Sequence, residues 1–151
     1  MKRIASFSVD HDKLERGMYV SRIDGDVVTY DIRMKKPNGG DYLNNGAMHT
    51  FEHLFATYAR NTELSDSVIY VGPMGCRTGF YLLLRDNVSR EQALALVKDS
   101  FSFIADFEGQ IPGTTRIECG NYLEHDLDGA KQNARDMLEV LKNFTSEMMD
   151  Y

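Results

Sequence analysis

The sequence has no run of apolar residues approaching the ~18 that a membrane-spanning helix needs. Nothing in its 151 residues is therefore expected to cross a bilayer. It has no excess of positive charge: 17 Lys and Arg stand against 23 Asp and Glu, for a net charge of -6. That balance argues against nucleic acid and against an anionic membrane surface as partners. It has only two cysteines, Cys76 and Cys119. Basic residues open the chain, but Asp10, His11 and Asp12 arrive before an apolar signal segment can form, so no signal peptide is expected. Without one, metal binding or catalysis is a better use for the thiols than a disulfide, and the expected location is the cytoplasm. No internal repeat, low-complexity tract or flexible linker divides the chain, so one domain over residues 1–151 is expected.

What is present is an ordinary globular composition, 42% hydrophobic and 26% charged, long enough to bury a core without disulfides. Met18 to Ile23 and Val27 to Met34 read as strands around the hairpin signal Asp24-Gly25. Pro37-Asn38-Gly39-Gly40 is a loop, after which Asn44 or Asn45 caps a helix running to about Arg60. Val68 to Val71 and Phe80 to Leu84 are β-rich. Ser89 with Gln92 makes a capping box for a helix to about Ile104, with Leu94, Val97 and Phe101 inward. Ile111-Pro112-Gly113 is a turn, Thr114 to Glu118 reads as a short strand, and a last amphipathic helix covers about Asp128 to Phe144. The expected fold is α+β, an antiparallel sheet packed against about three main helices. Met148-Met149 is expected to be mobile and Asp150-Tyr151 solvated.

The most informative stretch is His49-Thr50-Phe51-Glu52-His53. Positions i, i+3 and i+4 share one helix face, so both imidazoles point the same way with Glu52 beside them. That spacing suits two nitrogen ligands of a metal and an acid/base that need not touch it; the pattern H-x-x-E-H inverts the common zinc-protease motif. The pattern is short enough to recur by chance, and its bland reading is two hydrogen-bonded histidines on a polar helix face. The apolar neighbours Ala47, Met48, Leu54, Phe55 and Ala56 bury the helix, however, and buried polar groups need partners. A third protein ligand is then required, and Cys119, His125, Glu118 and Cys76 are the candidates. Cys119 lies at a predicted strand end before Gly120, where the backbone can bring a thiolate close, although a small buried apolar residue is the commoner fate of a lone cysteine; His125 reads better as a surface hydrogen-bonding residue near a helix start. Cys76 lies among Gly72, Gly75 and Gly79, where the backbone can approach a ligand closely, and Arg77 beside it would favour the thiolate. A turn whose cysteine only packs is an equal reading of those local features.

Taken together and in order, the motifs resemble the LuxS family of S-ribosylhomocysteine lyases. The resemblance rests on Ser6 with Asp10-His11, Asp31-Ile32-Arg33 with Pro37-Asn38, and the His49 to Leu54 helix. It continues through Pro73-Met74-Gly75-Cys76-Arg77-Thr78-Gly79-Phe80-Tyr81, Glu118 to Tyr122, and His125-Asp126-Leu127, and so covers almost the whole chain. It implies cleavage of S-ribosylhomocysteine to homocysteine and 4,5-dihydroxy-2,3-pentanedione, the autoinducer-2 precursor. It also implies a homodimer with active sites at the interface and one divalent metal per subunit, natively iron(II) and often zinc(II) after purification. Carried onto this chain, His49, His53 and Cys119 would bind the metal. Glu52 and Cys76 would be the acid/base pair, and Ser6, His11 and Arg33 would line the substrate pocket. That reaction suits the residues, because moving a carbonyl along a sugar needs a Lewis acid and two proton carriers.

One departure stands out. Members of the family carry an acidic residue and then a serine before Pro-Met-Gly-Cys, where this chain has Tyr70-Val71-Gly72. A tyrosine cannot counter an ammonium group as a carboxylate does, so the homocysteine amino group is expected to be held otherwise, by backbone carbonyls or Asp66. Two other classes compete with the lyase. A metallohydrolase would use Glu52 to activate water, with a carboxylate expected as third ligand. A structural metal module would close the site with His125 or Cys76 as fourth ligand.

Overall fold

Alternation along the strands gives the sheet two unlike faces. The computed structural model describes every residue from Met1 to Tyr151. Strands β1 (Gly17–Asp24), β2 (Val27–Arg33), β3 (Val68–Pro73) and β4 (Gly79–Arg85) form one antiparallel sheet in the order β1-β2-β4-β3. Val28, Tyr30 and Ile32 of β2 pair in register with Leu84, Leu82 and Phe80 of β4, and all six are buried in the core. The residues between them point to the opposite face, where Asp31 and Arg33 lie beside Tyr81 and Gly79.

Three helices cover the apolar face: α1 (Asn45–Ala59), α2 (Arg90–Asp106) and α3 (Leu127–Leu141). Phe51 of α1 has its ring centroid 5.0 Å from Phe80 of β4 and 4.9 Å from Phe101 of α2. The three rings are fully buried, each a burial that favours the folded state by about 1.5–3 kcal/mol. The expected α+β architecture is therefore the observed one. The expected caps form as well. The Asn44 side chain accepts from the Gly46 and Ala47 amides, and Ser89 and Gln92 make a reciprocal capping box.

Two expectations fail. Thr114 to Glu118 is no strand: the Glu118 and Cys119 amides both donate to the Thr115 carbonyl, at 3.1 Å each, and Glu118 Oε2 accepts from the Thr115 hydroxyl at 2.6 Å. Local side-chain bonding wins here because no neighbouring strand offers a ladder. The chain after α3 departs from expectation at Met149, while Met148, Asp150 and Tyr151 are exposed. Met149 is fully buried, and its carbonyl accepts the Val20 amide at 2.8 Å, which ties the tail to β1. No helix is long and apolar enough to cross a membrane.

Candidate metal centre and the cavity at Cys76

The first turns of α1 place His49, Glu52 and His53 on one face, while Thr50, Phe51, Leu54 and Phe55 are buried. Each imidazole is held from behind. His49 Nδ1 bonds the Glu124 carbonyl at 2.8 Å, and His53 Nδ1 bonds the Pro112 carbonyl at 2.8 Å. A carbonyl can only accept, so both Nδ1 atoms carry the proton and both Nε2 atoms present lone pairs. These lone pairs meet at one thiol: Cys119 Sγ lies 3.4 Å from His49 Nε2 and 3.9 Å from His53 Nε2. A tetrahedral ion with ordinary metal–nitrogen and metal–sulfur bonds separates such donors by about 3.6 Å, so the three side chains fit a divalent metal.

His125 is corrected from a surface residue to a member of this group. One donor atom from each of His49, His53, Cys119 and His125 lies within 4.8 Å of the others. His125 stacks on His49 with ring centroids 4.0 Å apart, and its Nδ1 bonds Thr50 Oγ1 at 3.0 Å. Its Nε2 is buried with no hydrogen-bond partner. Burial, then the neighbouring His49 and His53, push its pKa below the usual histidine value. Glu52 lines the opening over the group, together with His49, Asn121 and Glu124.

A separate cavity of about 330 Å³ lies on the polar face of the sheet and gathers Ser6, His11, Arg33 and Cys76. It touches the opening at Glu52 through Pro73, which lines both. The cation beside Cys76 is Arg33, not Arg77. Arg33 Nη1 lies 4.0 Å from Cys76 Sγ and donates to Thr78 Oγ1 at 2.8 Å, and that hydroxyl lies 3.0 Å from the sulfur. Arg77 has a φ of 60° and turns away, donating to the Leu43 carbonyl at 3.2 Å. Arg33 is itself buried in a 2.6 Å ion pair with Asp31. Burial opposes its charge, but the hydrogen bond and field of Asp31 prevail and raise its pKa above the usual arginine value. Asp31 and Thr78 escaped notice as site residues, although Asp31 and Arg33, two apart on a strand, had to share a face.

Neither Asp66 nor Tyr70 is among the residues lining this cavity. The Tyr70-Val71-Gly72 departure has a packing logic. A Cβ placed on Gly72 would stand 2.2 Å from the Tyr70 hydroxyl oxygen, so the Tyr70 side chain fills the space of a residue-72 side chain. The two substitutions therefore belong together.

The donor group of His49, His53, Cys119 and His125, which could hold a metal ion, adjoins a thiol-bearing cavity on a small α+β scaffold, an arrangement that suits a metalloenzyme. The chain belongs to the S-ribosylhomocysteinase (LuxS) family, whose model matches residues 4–148. It is 50% identical to an S-ribosylhomocysteine lyase of Phocaeicola vulgatus, covering 100% of this chain and 98% of that one. It is 49% identical to the S-ribosylhomocysteine lyase of a Porphyromonas gingivalis strain, covering 100% of this chain and 99% of that one. With the S-ribosylhomocysteine lyase of Borreliella afzelii the identity is 46%, over 100% and 99% of the two chains.

Proposed function

We propose that the protein is an S-ribosylhomocysteine lyase, a carbon–sulfur lyase that forms homocysteine and 4,5-dihydroxy-2,3-pentanedione. The observation that carries this reading is the pair of carbonyl-locked imidazoles aimed at one cysteine sulfur, beside a cavity holding Cys76 and Arg33. His49, His53 and Cys119 hold one divalent metal, iron(II) in the cell and zinc(II) in aerobically purified protein. When bound, that metal supplies Lewis-acid polarisation of the sugar carbonyl.

The chain's own residues do the rest. Ser6, His11 and Arg33 bind the substrate's polar groups. Glu52 takes a proton from the carbon next to the carbonyl and returns it to the former carbonyl carbon, while the neighbouring hydroxyl's proton passes to the former carbonyl oxygen, which moves the carbonyl along the sugar. Cys76 does the same from the cavity side. Loss of a further proton next to the relocated carbonyl forms a carbon–carbon double bond and expels the homocysteine sulfur as a thiolate, which is then protonated, and the enol left behind tautomerises to the dione. The hydrolase reading finds no support, since the donor beside the two histidines is a thiol rather than a carboxylate.

The active protein is a homodimer, with each site completed at the subunit interface. Support comes from apolar side chains left exposed around the centre and cavity, with Ile117 95%, Leu123 79% and Phe7 65% exposed. The enzyme works in the cytoplasm, where its two unpaired thiols stay reduced.

The test is to mix anaerobically purified, iron-loaded protein with S-ribosylhomocysteine and follow homocysteine by mass spectrometry. Wild type forms it, and Cys76→Ala keeps its metal but loses about 10²–10⁴ in rate. A folded, metal-replete wild type that forms none sinks the reading.

A further inference from the structure

The tail after α3 carries a side chain that the reaction as described does not use. Tyr151 lines the same cavity as Arg33 and Cys76. Its hydroxyl donates to Asp31 Oδ2 at 2.6 Å, the oxygen that also accepts Arg33 Nη2 at 2.6 Å. Asp31 Oδ1 takes the remaining link, from Arg33 Nε at 3.1 Å. Asp31 and Arg33 are 1% and 3% exposed, so water does little to hold either charge in place.

The position of Tyr151 is built rather than incidental. Its ring stacks on Tyr19 of β1, with centroids 5.2 Å apart and planes at 22°. The buried Met149 and its bond to the Val20 amide fix the backbone two residues before it. Asp150 adds only an exposed contact to Arg90, at 3.4 Å.

We propose that Tyr151 is a positioning residue for the lyase site, whose hydroxyl holds the Asp31 carboxylate so that the Arg33 guanidinium stays turned toward Cys76 and the cavity. The chain of contacts is continuous: Tyr151 to Asp31, Asp31 to Arg33, Arg33 to Thr78 and the Cys76 sulfur. The hydroxyl shares the negative charge of Asp31. When it is lost, that charge bears on Arg33 alone, and less of the guanidinium's field reaches the sulfur and whatever anionic group enters the cavity.

The lyase reading gives this role its purpose, but the measurement need not depend on that reading. The experiment compares the alkylation rates of Cys76 by iodoacetate, an anion, and iodoacetamide, its neutral analogue, by peptide mass spectrometry. The ratio of the two rates reads positive charge at the sulfur, whereas a general loosening of the fold speeds both alike. Tyr151→Phe keeps the ring on Tyr19 and removes only the oxygen. It is expected to lower the iodoacetate-to-iodoacetamide ratio about threefold, while Asp150→Ala leaves the ratio at the wild-type value. A folded Tyr151→Phe protein with a wild-type ratio overturns the proposal, whatever its melting temperature. So does an equal fall in Asp150→Ala, because the tail as a whole would then be responsible. Homocysteine release by the wild type, measured in parallel, judges the lyase reading separately.

Discussion

Thr50 shows how much of the metal centre is set by residues that touch no metal. Its hydroxyl accepts the Asp126 amide at 2.9 Å and bonds His125 Nδ1 at 3.0 Å, so one oxygen ties α1 to the segment carrying His125. Thr50→Val keeps the shape and strands both partners. It is expected to cost about 1–3 kcal/mol in urea unfolding, and to weaken cobalt(II) binding followed by its visible absorption. Unchanged stability and unchanged cobalt affinity would show that water replaces the hydroxyl. Glu52 can be judged in the same spectra: Glu52→Gln is expected to retain the cobalt spectrum and lose about 10²–10⁴ in turnover, as the proposed acid/base role requires. At position 70, Tyr70→Asp vacates the space above Gly72 and restores a carboxylate there. A lowered KM for S-ribosylhomocysteine is expected, and an unchanged KM and kcat would remove position 70 from substrate recognition. The sequence made His49, Glu52 and His53 legible through helix periodicity alone. The demand for a third ligand left Cys119, His125, Glu118 and Cys76 open, and the fold brings Cys119 and His125 to the two histidines. His125 was not legible, because a histidine before a helix start looks the same whether it faces solvent or a neighbouring imidazole.

Elements enter the site through their crossings. The α1–α3 contact is unusually close at Gly129, where a Cβ would meet Asp126 Oδ2 at 2.5 Å and the Ala47 Cβ at 2.9 Å. Asp126 caps α3 through the Gly129 amide at 2.9 Å, and its own amide reaches the Gly46 carbonyl of α1 at 3.2 Å. Gly129→Ala would favour an isolated helix, since alanine is the better helix former. Here it is expected to destabilise by about 1–3 kcal/mol, because the added methyl forces α1 and α3 apart. A melting temperature at or above wild type would mean that the crossing relaxes without strain. The strands and helices were legible because their signals were local: alternation in β2, the Asn44 cap, the Ser89–Gln92 box. Thr114 to Glu118 misled because its β-branched residues favour strands only where a neighbouring strand is available. The tail misled for a related reason. Met149 and Tyr151 find their places on β1 and Asp31, contacts distant in sequence that leave no periodic trace.

At the scale of the molecule, the helices cover one face of the sheet, and the other face concentrates tyrosines around one buried ion pair. Tyr19, Tyr81 and Tyr151 all have pKa values raised above the ordinary tyrosine value, first by burial and then by the negative charge of Asp31. The consequence for stability has a definite sign. In the unfolded chain tyrosines release their protons near pH 10, whereas in the folded protein these three hold theirs to higher pH. Below about pH 10 both states keep the protons, and the associated stability is fully present. Above it the unfolded state binds fewer protons than the folded one, so stability falls as pH rises toward the folded-state values. Urea midpoints measured at fixed metal occupancy are therefore expected to be level from pH 8 to about 9.5 and to drop beyond about 10. Because Tyr151 is pushed highest, by burial and by its direct bond to Asp31, Tyr151→Phe is expected to blunt that drop while lowering the midpoint at neutral pH. A midpoint that stays level to pH 11, or falls equally steeply in the variant, would show that the tyrosine face opens to water before the molecule unfolds. The ion pair that orients Arg33 would then be guarded by local packing alone, without help from the global fold.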